Sequence, residues 1–128
     1  MYQLKKLKNF YQRGKRGWAE EDVWSFDTYL AKIIRDSIRH LAKNNIGCPS
    51  EFYDADKVNN ECQRWEELLE EIASGFDAYL DDCAFDLRKR LEKGKIVTEL
   101  DKAVELNRRE KVDRAFDLLK EHFPGLWD

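Results

Sequence analysis

Apolar residues recur every three or four positions along nearly the whole chain, which is the spacing of amphipathic α-helices. The longest stripe comprises Val58, Cys62, Trp65, Leu69, Ile72, Phe76, Leu80, Cys83 and Leu87. An earlier stripe comprises Val23, Phe26, Leu30, Ile33, Ile34, Ile38 and Leu41. A later stripe comprises Leu100, Val104, Val112, Phe116, Leu119 and Phe123. Because no β-branched run alternates with polar residues, the pattern predicts an all-α protein.

The breaks between stripes predict three long helices and a short N-terminal helix. The short helix spans residues 3–12, because Gly14 and Gly17 then interrupt the pattern. The first long helix runs from Ala19 to about Asn44. The second begins after the acidic turn at 51–56, with Val58 as its first apolar position, and continues to near Gly94, and the third runs from Thr98 to Pro124. With 128 residues, the chain is expected to form one domain, a small helical bundle in which residues 1–17 are a basic N-terminal arm.

Three local features of these helices give specific structural predictions. Gly75, inside the longest stripe, marks either a kink or a close contact with another helix. Thr98 and Asp101 have the spacing of an approximate capping box. The polar stretch NRRE, residues 107–110, interrupts the last stripe and suggests a second turn.

Composition narrows the class of protein. The net charge of −3 gives no global attraction to nucleic acid, and the lack of an 18-residue apolar run argues against a membrane partner. The basic N-terminus lacks the apolar segment of a secretion signal. Three cysteines without a CxxC pair disfavour a disulfide framework or a zinc site and favour a reducing cytosol. We therefore expect Cys62 and Cys83 in the core as free thiols, and Cys48 in a turn.

Charge is unevenly distributed. Residues 1–18 carry six Lys or Arg and no acid, whereas residues 50–86 carry twelve Asp or Glu and two Lys or Arg. The acidic helix is either a solvated face, a partner of the basic arm, or a surface that imitates a nucleic-acid backbone in a partner's basic groove. The arm also alternates cations with Tyr2, Phe10, Tyr11 and Trp18, a pattern that suits single-stranded nucleic acid, although the net acidity argues against it.

Aromatic residues cluster where the second helix begins. Helical spacing assigns Phe26 to the core, whereas Trp24 and Tyr29 lie beside the buried stripe and Trp18 precedes it. A neighbouring helix covers such residues in most small cores. If they are exposed instead, tryptophan and tyrosine are typical of binding hot spots.

Catalytic chemistry finds little support in the residues. His40 and His122 are far apart and lack a second ligand at metal-binding spacing. Glu67 and Glu70 form an ExxE pair, and Glu110 and Asp113 form an ExxD pair. Together they are similar to the magnesium carboxylates of all-α nucleotide pyrophosphohydrolases, although the gap between the pairs is longer than usual there. Otherwise they are a solvated face. A further alternative is an oligomeric sponge for a signalling nucleotide, with phosphate contacts from Arg88, Arg90, Arg108 and Arg109.

Three blocks of sequence, in order, resemble a family of small proteins of tailed bacteriophages. They are RGWAEEDVWSFDTYLA at residues 16–31, WEELLEEIASGFDAY at residues 65–79 and the ending LWD. The family pattern often has serine or aspartate where this chain has Ala19, which weakens the predicted helix cap. The resemblance implies a phage source and the cytoplasm of an infected host, but no known activity.

These observations favour a non-enzymatic interaction protein, with no cofactor, metal or catalytic residue. It is expected to bind and inhibit a host protein, a defence or nucleic-acid-handling component, and a homo-oligomer is compatible with the sequence. The predicted partner-binding residues are Trp18, Trp24, Tyr29, Glu66, Glu67, Glu70 and Glu71.

Overall fold

The fold is all-helical in the residues that the computed structural model describes: 1–44, 47–52, 62–81 and 83–127, with only the backbone described for 83–85. This confirms the predicted all-α class. The α-helices in these residues are α1 (Tyr2–Arg16), α2 (Phe26–Asn44), α3 (Gln63–Leu80), α4 (Cys83–Glu92) and α5 (Glu99–His122). Short 3-10 helices are Glu20–Ser25, Ser50–Phe52 and Phe123–Gly125.

The first two helices differ from their predicted limits. Helix α1 continues through Gly14 and ends at Arg16. Gly17 caps it, with a left-handed φ of 86° and an N–H that donates to the carbonyl of Arg13 over 2.8 Å. The second helix does not begin at Ala19, because residues 20–25 form a 3-10 helix and α2 starts only at Phe26.

The predicted third helix is two helices. Helix α3 ends where Asp81 adopts an extended conformation, and α4 follows. The proposed start of this helix at Val58 lies outside the described residues, as does most of the acidic turn before it. Five α-helices are therefore described where four were predicted.

The last helix begins as predicted. The Thr98 hydroxyl accepts from the N–H of Asp101 over 3.1 Å, and the Asp101 carboxylate accepts from the N–H of Thr98 over 2.9 Å. The predicted turn at NRRE is wrong, because α5 continues through it. Arg108 and Arg109 reach back one turn to the buried carboxylate of Glu105, which holds the segment in helical form.

The chain divides into two compact units, Met1–Leu30 and Ala31–Asp128, here called the N-terminal and C-terminal units. The core of the C-terminal unit centres on α3, where Trp65, Leu69 and Ile72 are fully buried. The core also contains Phe52, Ala31, Ile38 and Ala42 of α2, Ala73 and Phe76 of α3, and Ala115 and Leu118 of α5. His122 packs against the rings of Phe52 and Trp65 and has a structural role here.

Gly75 marks a close helix contact, one of the two predicted alternatives. A Cβ added there would overlap the Cβ of Ala115 and lie 2.8 Å from the carbonyl oxygen of Lys111. Glycine at this position therefore lets α3 and α5 approach each other closely.

The expectation against a disulfide is wrong. Cys48 and Cys62 form a disulfide, with Cα atoms 5.4 Å apart. Cys62 is therefore neither a free thiol nor a helix-interior residue, since it precedes α3 with a positive φ of 69°. The side chain of Cys83 lies outside the described residues. Because disulfides are typical of oxidising compartments, the cysteine count no longer supports a reducing cytosol.

Several apolar positions expected in the core are exposed. In the N-terminal unit these include Val23, Phe26 and Leu30. In α5, Leu100, Val104 and Phe116 are also exposed, although Phe116 still touches the ring of Phe76. At the C-terminus Leu126 packs on the core, whereas Trp127 is exposed.

Candidate functional site

The predicted partner-binding residues belong to both units, and each group is described within its own unit. Trp18, Trp24 and Tyr29 are in the N-terminal unit, and the four glutamates are on α3 in the C-terminal unit.

The polar side of α1 fixes the 3-10 helix that follows it. Arg13 donates from Nε to one carboxylate oxygen of Asp22 over 2.9 Å and from its terminal amine to the other over 2.5 Å. Asp22 is buried and also accepts from the N–H of Ala19 over 2.8 Å. The hydrogen bonds from Arg13 lower the pKa of Asp22, so the carboxylate stays ionised at neutral pH. Asp22 thus caps a segment whose Ala19 has no side-chain acceptor to offer.

Further contacts hold the same segment against α1. Glu20 pairs with Lys8 over 3.2 Å, and Glu21 pairs with Lys5 over 3.0 Å. The hydroxyl of Tyr29 donates to the carbonyl of Gly17 over 2.8 Å, which joins the start of α2 to the end of α1. The loop between the two helices is therefore fixed at several points.

Trp24 projects from this fixed segment and is 93% exposed. Val23 and Phe26 beside it in sequence are exposed as well. Trp18 is 38% exposed, and the Arg16 guanidinium lies 3.8 Å from its ring centroid. Tyr29 is partly buried and its hydroxyl is already bonded, so it supports the segment more than it offers a contact. Among the predicted aromatic residues, Trp24 presents the largest free surface.

The acidic face of α3 is partly neutralised within the C-terminal unit. Glu70 pairs with Arg39 of α2 over 3.3 Å, and Glu71 pairs with Arg114 of α5 over 3.2 Å. Arg39 also forms an ion pair with Asp77, over 2.9 Å. The remaining two predicted acids, Glu66 and Glu67, have no ion pair in the described residues, although Glu67 accepts a hydrogen bond from Gln63. The net negative charge at the surface of α3 is therefore smaller than the local sequence suggests, because arginines from α2 and α5 offset part of it.

Two grooves run beside α3. The groove between α2 and α3, of about 440 Å³, is lined by Ala42, Lys43, Gln63, Glu66, Glu67 and Glu70. The groove between α3 and α5, of about 320 Å³, is lined by Glu71, Ser74, Gly75, Asn107, Glu110, Lys111 and Arg114. Arg114 and Lys111 make the second groove mixed in charge.

The carboxylates of the magnesium alternative do not line a common groove. Glu67 and Glu70 line the first groove, whereas Glu110 lines the second. Within the described part of the chain, no group of three or more His, Cys, Asp or Glu side chains is placed to hold a metal ion. These positions give the hydrolase alternative no support.

The arginines of the nucleotide-sponge alternative are largely occupied. Arg108 donates twice to Glu105 and once to the carbonyl of Ala78, and Arg109 donates to Glu105. Arg90 pairs with Asp101 over 3.2 Å. Phosphate binding by these three would have to break existing contacts. Arg88 is exposed on α4.

Sequence reasoning missed the residues that position the site. In the sequence, Arg13 is one of six cations in residues 1–18, and no pattern distinguishes Asp22 from the acids beside it. Their spacing of nine residues crosses a break between helices, so no helical rule pairs them. Arg35 and Arg39 were missed for the same reason, because their partner Asp77 lies on a different helix.

Comparison of the chain with family models, with curated proteins and with solved structures finds no match. Within the described residues, no helix combines the length and apolarity needed to cross a membrane.

Proposed function

We propose that this chain is a binding protein that contacts a protein partner through an N-terminal aromatic surface. This surface is defined as Trp18, Val23, Trp24 and Phe26. The observation that carries the proposal is the 93% exposure of Trp24 on a segment fixed by the Arg13–Asp22 pair.

The chemistry of the surface suits protein recognition. Tryptophan provides a large apolar area with few rotatable bonds, so burying it in a partner's pocket orders little of the side chain. The fixed segment lowers the ordering cost of binding further, because its backbone is already held before the partner arrives. Trp24 is thus the expected anchor, with Val23 and Phe26 around it.

The partner proposed is a host component of an infected bacterium, met in the host cytoplasm, and binding would inhibit it. This part of the proposal rests on the resemblance to phage proteins and on the charge of the chain. Glu66 and Glu67 are the acids of α3 without ion pairs in the described residues, so they are the two expected to attract a basic partner at long range. Glu70 and Glu71 are expected to contribute less, because arginines already face them.

The test is a pull-down from bacterial lysate with the wild-type chain and two tryptophan variants. W24A removes the proposed anchor, and W127A is the matched control, since Trp127 is also exposed, at 67%. W24A should lose the captured protein, with affinity reduced about 30-fold or more for a hot-spot residue, whereas W127A should retain it.

The acidic contribution is tested on the partner so identified. Charge reversal in the double variant E66K/E67K should slow association and weaken its salt dependence, whereas E70K and E71K should have a smaller effect on the association rate.

If W24A captures the same protein with the same affinity as the wild type, the aromatic surface is not the contact.

A further inference from the structure

Helix α1 presents its apolar side to solvent. Leu4, Leu7, Phe10 and Tyr11 are between 64% and 77% exposed, and no residue of α1 is buried. They follow the helical spacing i, i+3, i+6 and i+7, so they share one side of the helix. An exposed apolar stripe of this size marks an interaction surface more often than a solvated face.

The polar side of α1, which begins beyond the edges of the stripe, is the side that packs within the N-terminal unit. Lys5, Lys8 and Arg13 pair with Glu21, Glu20 and Asp22 of the 3-10 helix. Gln12 joins them, since its side-chain oxygen accepts from the N–H of Glu20 over 3.0 Å. The three acids Glu20, Glu21 and Asp22 therefore contact the polar side of α1, outside the apolar stripe.

Lysines border the apolar stripe on both edges. At 100° per residue, Lys6 falls beside Phe10 on one edge and Lys15 falls beside Leu4 on the other. The Lys6 ammonium lies 4.5 Å from the ring centroid of Tyr2, and that of Lys15 lies 6.0 Å from the ring centroid of Tyr11. Residues 1–18 contain no acid. The outward side of α1 is thus apolar in the middle and cationic at the margins.

We propose that α1 docks on the surface of an anionic lipid bilayer, with its axis in the plane of the surface and the stripe Leu4, Leu7, Phe10 and Tyr11 inserted among the lipids. A charged polar side, low mean hydropathy and apolar Leu and Phe on the other side characterise helices that lie in a bilayer interface. Lysine stems extend along the apolar layer while their ammonium groups reach the headgroups, and tyrosine suits the same depth.

The charge distribution around α1 favours an anionic lipid surface over a second copy of the chain or a protein partner. The acids of the N-terminal unit that contact α1 are paired with Lys5, Lys8 and Arg13, whereas Lys6 and Lys15 at the edges of the stripe would face anionic headgroups. A symmetric pairing of two copies through this stripe would place the lysines of one α1 against those of the other, which is unfavourable. An apolar groove on a protein partner would need no cation on both margins. Surface docking is compatible with the lack of a membrane-crossing helix but departs from the expectation that no membrane is involved.

The test is co-sedimentation of the full chain with lipid vesicles. Vesicles of phosphatidylcholine are compared with vesicles of phosphatidylcholine and phosphatidylglycerol, at low and high salt. Binding should require phosphatidylglycerol and weaken as salt rises. The double variant L7E/F10E should abolish binding, and K6Q/K15Q should reduce the partition coefficient about 30-fold.

The matched control is L100E/F123E, which changes the same residue types at exposed positions of the C-terminal unit. It should bind vesicles as the wild type does. Circular dichroism of each variant checks that helix content is retained. Equal binding by L7E/F10E, or no binding to either vesicle, would overturn the proposal. A dimer in sedimentation velocity that L7E/F10E abolishes, or loss of a captured protein by that variant without vesicle binding, would assign the stripe to a second copy or a protein partner instead.

This proposal is independent of the aromatic surface. W24A should leave vesicle binding intact, and L7E/F10E should leave protein capture intact. The two proposals can therefore fail separately.

Discussion

Replacing Gly75 with alanine should destabilise the C-terminal unit even though alanine is the better helix former. A Cβ at position 75 would overlap the Cβ of Ala115 and lie 2.8 Å from the carbonyl oxygen of Lys111 and 3.4 Å from the Cα of Ala115. None of these atoms can rotate away, because they belong to the backbone of α5 or are fixed to it. The two helices must separate for the methyl group to fit.

The magnitude follows from two opposing contributions. Overpacking of a tight core contact destabilises by up to about 3 kcal/mol, and the upper end applies here because backbone must move. Alanine in place of glycine in a helix stabilises by about 1 kcal/mol. The expected net loss in the free energy of unfolding is about 2 kcal/mol, which lowers Tm by about 8 °C in a unit of this size.

The assay is urea unfolding followed by circular dichroism, with two further variants. G14A is the matched control, because a Cβ at Gly14 in α1 meets nothing within 4 Å, so it should leave stability unchanged or raise it. In A115G/G75A the methyl group at 75 replaces the one removed at 115, so the double variant should be more stable than additivity of the two single variants predicts. If G75A matches G14A and leaves the unfolding midpoint unchanged, α3 and α5 are not in the close contact described.

Three further predictions concern ion pairs and the disulfide. Hydrogen bonds from Arg13 lower the pKa of Asp22, so the Asp22 carboxylate stabilises the N-terminal unit fully above the ordinary aspartate pKa. This stabilisation is lost as pH falls through the lowered pKa. D22N should remove the corresponding dependence on acidic pH, measured by hydrogen exchange of the amides of the N-terminal unit. E105Q should lower the free energy of unfolding by about 2 kcal/mol, because Glu105 is buried and accepts charge-assisted hydrogen bonds from Arg108; denaturant unfolding measures this, and a value near zero would contradict it. Thiol titration of the denatured, unreduced protein should detect one free thiol of the three cysteines. Reduction of the disulfide between Cys48 and Cys62, which are 14 residues apart, should lower the free energy of unfolding by about 3 kcal/mol. Three thiols without reduction would show that the disulfide is absent.

Hydrophobic periodicity predicted the central helix better than its neighbours. Trp65, Leu69 and Ile72 of the α3 stripe are fully buried, because α3 is covered by helices on two sides and any apolar stripe it carries finds a partner. Periodicity reports that a helix has an apolar side. It does not report whether another element covers that side.

Helix α2 shows why this matters. Its predicted stripe used only large side chains. The buried positions are Ile38, which belongs to that stripe, and Ala31 and Ala42, which do not, so the buried side is centred about a quarter of a turn from the predicted one. Ala31, Ile38 and Ala42 pack in the same buried cluster as Leu69 and Ile72 of α3, and Arg35 and Arg39 of α2 pair with acids of α3. The orientation of α2 is thus set by small residues and by ion pairs between helices, and neither gives a signal in a pattern of large apolar residues.

The candidate site was predictable in its residue types but not in its geometry. Trp24 was identified because it lies off the apolar stripe, which a sequence can show. Among the residues that the structure describes, Glu70 and Glu71 form ion pairs and Glu66 and Glu67 do not. Local charge could not predict this division, because Arg39 and Arg114 come from distant parts of the chain. The disulfide was missed for the same reason, since pairing depends on the distance between Cys48 and Cys62 in the fold rather than on their number or spacing.

The orientation of α1 is itself an argument for a docked state. Exposed ion pairs such as Lys5–Glu21 and Lys8–Glu20 contribute little to folding, whereas burial of a leucine or phenylalanine contributes about 2 kcal/mol. An amphipathic helix that packed for stability alone would therefore turn its apolar side inward. Within the N-terminal unit the polar side is the packed one, and the contact of Arg13 with the buried carboxylate of Asp22 secures it. Leu4, Leu7 and Phe10 stay exposed in the folded chain, so their burial can still contribute free energy to binding. The lysines that border the stripe favour a surface of negative charge.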